Sequence, residues 1–144
     1  MKRLLKKIEG LPIGAVGATV GACTLSTVYH LLGFNFIRHA VLCVAIFVWF
    51  AMLAKIVLHF SVFKSEYNQA VSGSLYGLFA MLTMIIGSYL SHYIAPLGKT
   101  LWLLGILLHL VHIICFTAIH LIKNFKFELL VPTWFVSYMG ILVS

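Results

Sequence analysis

The side chains here best suited to proton or metal chemistry are seven histidines and three glutamates, and aspartate is absent from all 144 residues. Glu9, Glu66 and Glu128 each stand near a lysine in a polar stretch, so no carboxylate falls inside an apolar run. A Ser-His-Asp arrangement has no Asp, and a carboxylate proton relay has no acid to use. The chain is therefore not expected to be an enzyme. His30, His39 and His92 fall at one set of segment ends, with His59 and His120 at the other, where a polar tip costs little. His109 and His112 fall mid-run at i and i+3, on one helical face. Two such imidazoles could ligate a metal or a haem, and ionisable groups at that depth are functional candidates by default. The neighbouring runs supply no deep His, Asp or Glu to complete a ligand set. Neutral, hydrogen-bonded histidines are the first reading, a ligand pair the alternative, and no cofactor is expected. Cys23, Cys43 and Cys115 lie one in each of three apolar runs without CxxC spacing, and are expected as small buried hydrophobes.

The elements that must position these groups are apolar. Hydrophobic residues make up 62% and charged residues 9%, with mean hydropathy +1.09, far from the share of charge in soluble domains. An all-α integral membrane protein is the fold class that such a composition predicts. Pro12 to Gly33 is a run of 22 residues with no charge, long enough as a helix to cross a bilayer core of roughly 30 Å. Gly14, Gly17 and Gly21 line one of its faces, which leaves that face bare for another backbone or for an open lumen. Helices are expected at about 12–32, 39–60, 73–93 and 100–122, with the start of a fifth at 132–144. A basic arm occupies 1–11 and the transmembrane domain 12–144. Gly33 to Ile37 and Ala95 to Gly98 are expected as turns, and Ser61 to Ser72 as a polar loop. The net charge of +7 comes from residues at the ends of apolar runs and reads as a topology signal, with no nucleic-acid partner. An inner amino terminus places Lys2, Arg3, Lys6, Lys7, Lys64, Lys123 and Lys126 inside and Arg38 and Lys99 outside, seven against two. Lys55 is expected to snorkel to the inner side.

The chain also repeats. Glu9, Glu66 and Glu128 recur at intervals of 57 and 62 residues, each before an odd-numbered helix, which defines tandem hairpins of about 60 residues. The first and third helices carry three glycines each (14, 17, 21 and 73, 77, 87). The second carries Phe47, Trp49, Phe50 and Phe60, groups suited to lipid. Bare odd helices inside and bulky even ones outside would suit a ring around a lumen. Glycine-mediated packing is the plainer reading of the same residues.

LPIGAVGATVGACTLS (Leu11 to Ser26), YNQAVSGSLYGLFAMLTMIIGSYL (Tyr67 to Leu90) and VPTWFVSYMGI (Val131 to Ile141) together resemble the tellurite-resistance/dicarboxylate transporter family, which includes slow-type anion channels and malic acid transport proteins. The resemblance covers nearly the whole chain. It implies a plasma-membrane protein with a cytoplasmic amino terminus and ten helices as five hairpins, the odd ones lining a pore. This chain would supply the amino-terminal half, so a second-half polypeptide and a homotrimer are implied as partners beside the lipid bilayer. The cargo implied is a C4-dicarboxylate such as malate, or a small inorganic anion including tellurite-related species, carried by a channel or a secondary transporter. Gly14, Gly17, Gly21, Gly77, Ala80, Pro132 and Phe135 are the pore-lining candidates. Several relatives bend the third helix at a proline, where Ala80 stands here. The phenylalanine gate of a later helix has no counterpart. A b-type haem protein using His59, His109, His112 or His120 and a remnant without activity are the alternatives.

Overall fold

Every regular element in the computed structural model is helical among the residues it describes, 9–123 and 132–143. The basic arm through Lys7 and the stretch holding Lys126 and Glu128 lie outside the described residues. Helix α1 (Ile13–Leu31) starts behind Pro12, whose missing amide hydrogen is not needed there. It stops at Gly33, whose φ of +92° is open to glycine and strained for other residues. Helix α2 (Asn35–Leu58) follows at once, four residues earlier than the sequence predicts, because Asn35 and Phe36 join its first turn.

The polar stretch expected as a loop is instead a short helix, α3 (Phe60–Tyr67). Phe63 and Tyr67, one helical turn apart, give it an apolar edge that packs on Tyr76, with Phe63 and Tyr76 ring centroids 4.9 Å apart. The third apolar run is broken at Tyr76 into α4 (Ala70–Leu75) and α5 (Gly77–Ser91). The break thus falls four residues before Ala80. Gly73 beside it is indispensable: a Cβ there would stand 2.4 Å from the Tyr67 carbonyl oxygen.

Ala95 to Gly98, expected as a turn, forms the opening of helix α6 (Ala95–Phe116), with Pro96 in its first turn. The run then widens into a π-helical segment, Thr117–Lys123, where the sequence predicts unbroken α-helix. Helix α7 (Thr133–Met139) and a 3₁₀ turn, Gly140–Val143, complete the described chain.

The core sits around α5. In the apolar 18-residue window of the span Ala70–Ser91, 72% of residues are buried, against 22% in the corresponding windows of Asn35–Leu58 and Ala95–Ile122. These three are long and apolar enough to cross a membrane; α1, diluted by glycine, threonine and serine, is not among them. Helices α1, α2, α6 and α7 each pack on α5, leaving Phe47, Phe50, Leu103, Leu107 and Ile114 exposed on the outside. That is a surface for hydrocarbon rather than water. Trp49 departs from the lipid-facing expectation. Its ring stacks on Phe79 at 5.8 Å, and its Nε1 donates to Thr83 Oγ1 at 2.8 Å.

Glycine brings α5 and α6 into backbone contact. A Cβ on Gly98 would meet Ser91 N at 2.1 Å, one on Gly87 would meet Trp102 N at 2.5 Å, and one on Gly105 would meet Met84 Cγ at 2.6 Å. The three glycines form a seam of close approach. Cys23 is buried as expected, but Cys43 and Cys115 are exposed on the outward faces of α2 and α6. The correction follows from helical phase: Cys43 sits opposite the buried residues of α2, and Cys115 is turned about 100° from the buried face of α6.

Candidate functional site

The candidate site is a cavity of about 340 Å³ where α1, α2 and α5 diverge. Thr24, Thr27 and Val28 form its α1 wall, Arg38 and Leu42 its α2 wall, and Ser88 and Tyr89 its α5 wall. Apolar side chains make up much of the lining, so the polar groups on it stand out. Both threonine hydroxyls donate to their own helix, Thr24 to Val20 O at 3.0 Å and Thr27 to Cys23 O at 3.2 Å, which leaves their lone pairs and methyl groups towards the cavity.

Arg38 is the one cation on this wall, and its position is fixed. Its guanidinium carbon lies 5.7 Å from the centre of the Tyr89 ring, within cation–π range. The Tyr89 hydroxyl is held in turn by His39 Nδ1 at 2.6 Å. A second cavity of about 250 Å³ adjoins it, lined by His30, Arg38, His39, Tyr89, His92 and Tyr93. Three imidazoles and one guanidinium thus gather at one end of the bundle. The ion pair found among the described residues is Lys55 with Glu66, at the opposite end, so no carboxylate neutralises Arg38 there. Such a constellation can hold an anion by charge and by hydrogen-bond donation. It lacks a nucleophile–base pair, and no cluster of three metal-ligating side chains occurs among the described residues.

At the far end, Lys55 does not snorkel to water. Its side chain is 1% exposed, and Nζ donates to Glu66 Oε1 at 2.8 Å, Glu66 Oε2 at 3.0 Å and the Leu11 carbonyl at 2.8 Å. The Tyr76 hydroxyl donates to Glu66 Oε2 at 2.6 Å. Glu66 is therefore a structural acid that ties α1, α2, α3 and the α4–α5 break together, rather than a solvated loop residue. The network satisfies each buried charge, which is what makes its burial tolerable.

The sequence-derived lining candidates divide. Gly14 and Gly21 face open space, with nothing within 4 Å of a Cβ built on either. Gly17, between them, is closed by Leu78 Cδ1 at 3.1 Å. Gly77 lies under the imidazoles of His112 and His109, and Ala80 is buried beside Gly105. Pro132 and Phe135 are exposed on α7, apart from the other five. The structure thus unites Gly14 and Gly21 on one open face of α1, while Gly77 and Ala80 serve the α5–α6 contact. Arg38, Tyr89, Thr24 and Thr27 were missed as a group, although an arginine at an end devoid of acids was a signal that could have found them.

His109 and His112 lie inside the α5–α6–α7 seam, 6.1 Å apart between ring centres. His112 Nδ1 shares a hydrogen bond with the Tyr67 hydroxyl at 3.0 Å, and its Nε2 is 3.4 Å from Ser137 Oγ. Ser137 donates to the Ser74 carbonyl at 2.9 Å, and Ser74 Oγ lies 2.8 Å from Thr133 Oγ1. His109 is fully buried with neither ring nitrogen hydrogen-bonded. Burial pushes the Tyr67 phenol above its ordinary range, so it remains protonated at neutral pH.

Comparison with protein-family models, curated proteins and solved structures gives no match.

Proposed function

We propose that this chain is an integral membrane protein that passes small anions, of the tellurite-resistance and dicarboxylate-transporter kind, with the Arg38 cavity as its outer vestibule. It works by passage and not by bond chemistry. The observation that carries the reading is an arginine held against Tyr89 at the mouth of a cavity whose end of the bundle has no carboxylate among the described residues. A guanidinium in a low-dielectric setting attracts an anion far more strongly than it would in water. An acid there would repel the cargo.

Thr24 and Thr27 line the vestibule on α1, while Gly14 and Gly21 are bare on the side of α1 away from the residues it packs with, a face that suits contact with further helices such as a second-half polypeptide or neighbouring protomers would supply. The charge count supports an outer Arg38, an inner Lys55–Glu66 network and a cytoplasmic amino terminus, and the plasma membrane is what the family resemblance implies.

The reading is tested in proteoliposomes loaded with chloride, nitrate or malate. Flux of at least one anion above protein-free vesicles is expected, reduced several-fold by Arg38→Gln with insertion unchanged. Equal flux from Arg38→Gln and the unaltered chain for every anion would remove the vestibule from the path.

A further inference from the structure

His109 is fully buried, and its two ring nitrogens make no hydrogen bond of good geometry, with only the backbone of Gly77 and Ser137 close to the ring, so its desolvation is poorly compensated. The surroundings are shaped around it. Gly140 of the 3₁₀ turn and Gly77 of α5 give way to the ring: a Cβ would stand 2.6 Å from His109 Cε1 at Gly140 and 3.5 Å away at Gly77. Its neighbour His112 is 8% exposed and connects onward through Tyr67. The Tyr67 carbonyl accepts from His120 Nε2 at 3.1 Å, and His120 lies in the π-helical segment, a local form found often at functional sites.

We propose that His109 and His112 form a proton-binding site within the bundle, with the Tyr67 phenol as its hydrogen-bonded outlet, and that its occupancy governs how α7 seats on α5 and α6. The site takes up one proton from water onto an imidazole nitrogen. No bond other than N–H forms, and the pair gains one positive charge.

The groups around the pair make that charge consequential. From α3 the titratable neighbour is Tyr67, on His112; from α5 the ring neighbour is Gly77; from α7 the polar neighbour is Ser137, while Trp134 and Tyr138 of α7 and His120 of the π segment are reached through Phe116, which stacks on His112. Among the described residues no carboxylate is a hydrogen-bond partner of either ring. The nearest charged pair, Glu66 with Lys55, is reached only through Tyr76, whose ring centre is 5.9 Å from that of Tyr67. A cation created here would be uncompensated in an apolar seam, and the system lowers that cost by admitting water or shifting the partner element. The partner element is α7, held to the site by Ser137 and by Trp134, which packs on Phe116 at 5.1 Å.

The proposal stands apart from the anion reading, and so does its test. The chain, labelled with ¹⁵N-histidine and 5-fluorotryptophan, is titrated in detergent micelles between about pH 4 and pH 8. The two imidazole signals, assigned by their loss in His109→Gln and His112→Gln, are expected to shift together at one midpoint, with an amplitude that reports uptake of a single proton by the pair. The ¹⁹F signal assigned to Trp134 should shift at the same midpoint, and that shift should vanish in His109→Gln. Tyr67→Phe keeps the pair intact while removing the phenol bridge, and is expected to retain titration with proton exchange slowed several-fold. A pair that stays neutral over the whole range overturns the site. A pair that titrates while Trp134 stays fixed overturns its coupling to α7. Anion flux that fails in proteoliposomes while both signals titrate would dismiss the anion reading and leave the proton site standing.

Discussion

At the scale of single residues, two charged side chains at opposite ends of the bundle have opposite tasks. Lys55 is buried and satisfied by Glu66 and the Leu11 carbonyl, so removing one partner strands a charge. Glu66→Gln is expected to destabilise the detergent-solubilised chain by about 3 kcal/mol. Lys55→Met should cost a similar amount, and the double variant should cost well under the sum of the two. The check is a double-mutant cycle from reversible denaturation, and strictly additive losses would show that the pair does not interact. Arg38 is held by a ring instead of a carboxylate, so Arg38→Gln should leave stability within about 0.5 kcal/mol while weakening anion binding. Chloride line-broadening in ³⁵Cl spectra of the solubilised protein reads the second effect. Unaltered broadening would mean that Arg38 holds no anion. Neither role was legible beforehand. In sequence, Lys55 looks like any lysine near the end of an apolar run, and Arg38 contributes only one unit to a topology count; their difference comes from what other elements bring to them.

At the scale of elements, glycine has two uses that spacing alone does not separate. The repeat at Gly14, Gly17 and Gly21 marks a bare face of α1, and Gly14 and Gly21 do face open space. The same kind of residue at Gly87, Gly98 and Gly105 closes the α5–α6 seam, where a Cβ would collide with backbone or side-chain atoms. Gly98→Ala is therefore expected to cost about 1–3 kcal/mol through overpacking, whereas Gly14→Ala should be neutral or slightly stabilising. Thermal unfolding of the two variants side by side decides it, and equal midpoints would contradict the seam. The helical runs themselves were readable, since long apolar stretches bounded by Pro, Gly and charge leave few alternatives. The short helix α3, the break at Tyr76 and the π-helical segment were not. Phe63, Tyr67 and Tyr76 form one aromatic cluster across a chain break, and His120 meets the Tyr67 carbonyl across 53 residues of sequence. Local pattern carries no record of contacts between elements.

At the scale of the whole molecule, the arrangement has a buried helix at its centre and apolar surface around it. Cys43 and Cys115 lie on that outward surface, whereas Cys23 is buried. In a bilayer all three thiols are expected to resist water-soluble maleimides, and in denaturant all three should react. Mass spectrometry of the labelled chain counts them, and rapid labelling of Cys43 or Cys115 in intact membranes would place water where hydrocarbon belongs. The third span is central and the second and fourth are peripheral. Gly77 and Ala80 are occupied in contacts with α6, so the vestibule we propose is bounded by α1 and Arg38 and not by the glycines of α5.

The central claim is that water and anions reach Thr24 and Thr27 from the Arg38 end. Its most direct measurement is thiol labelling in membranes of a chain freed of its native cysteines, with single cysteines placed at Thr24, Thr27, Val44 or Leu107. Thiols at 24 and 27 are expected to react with water-soluble methanethiosulfonates, faster with the anionic than with the cationic reagent, and to lose that preference when Arg38→Gln is added. Inert thiols at 24 and 27 beside reactive ones at 44 and 107 would contradict the account.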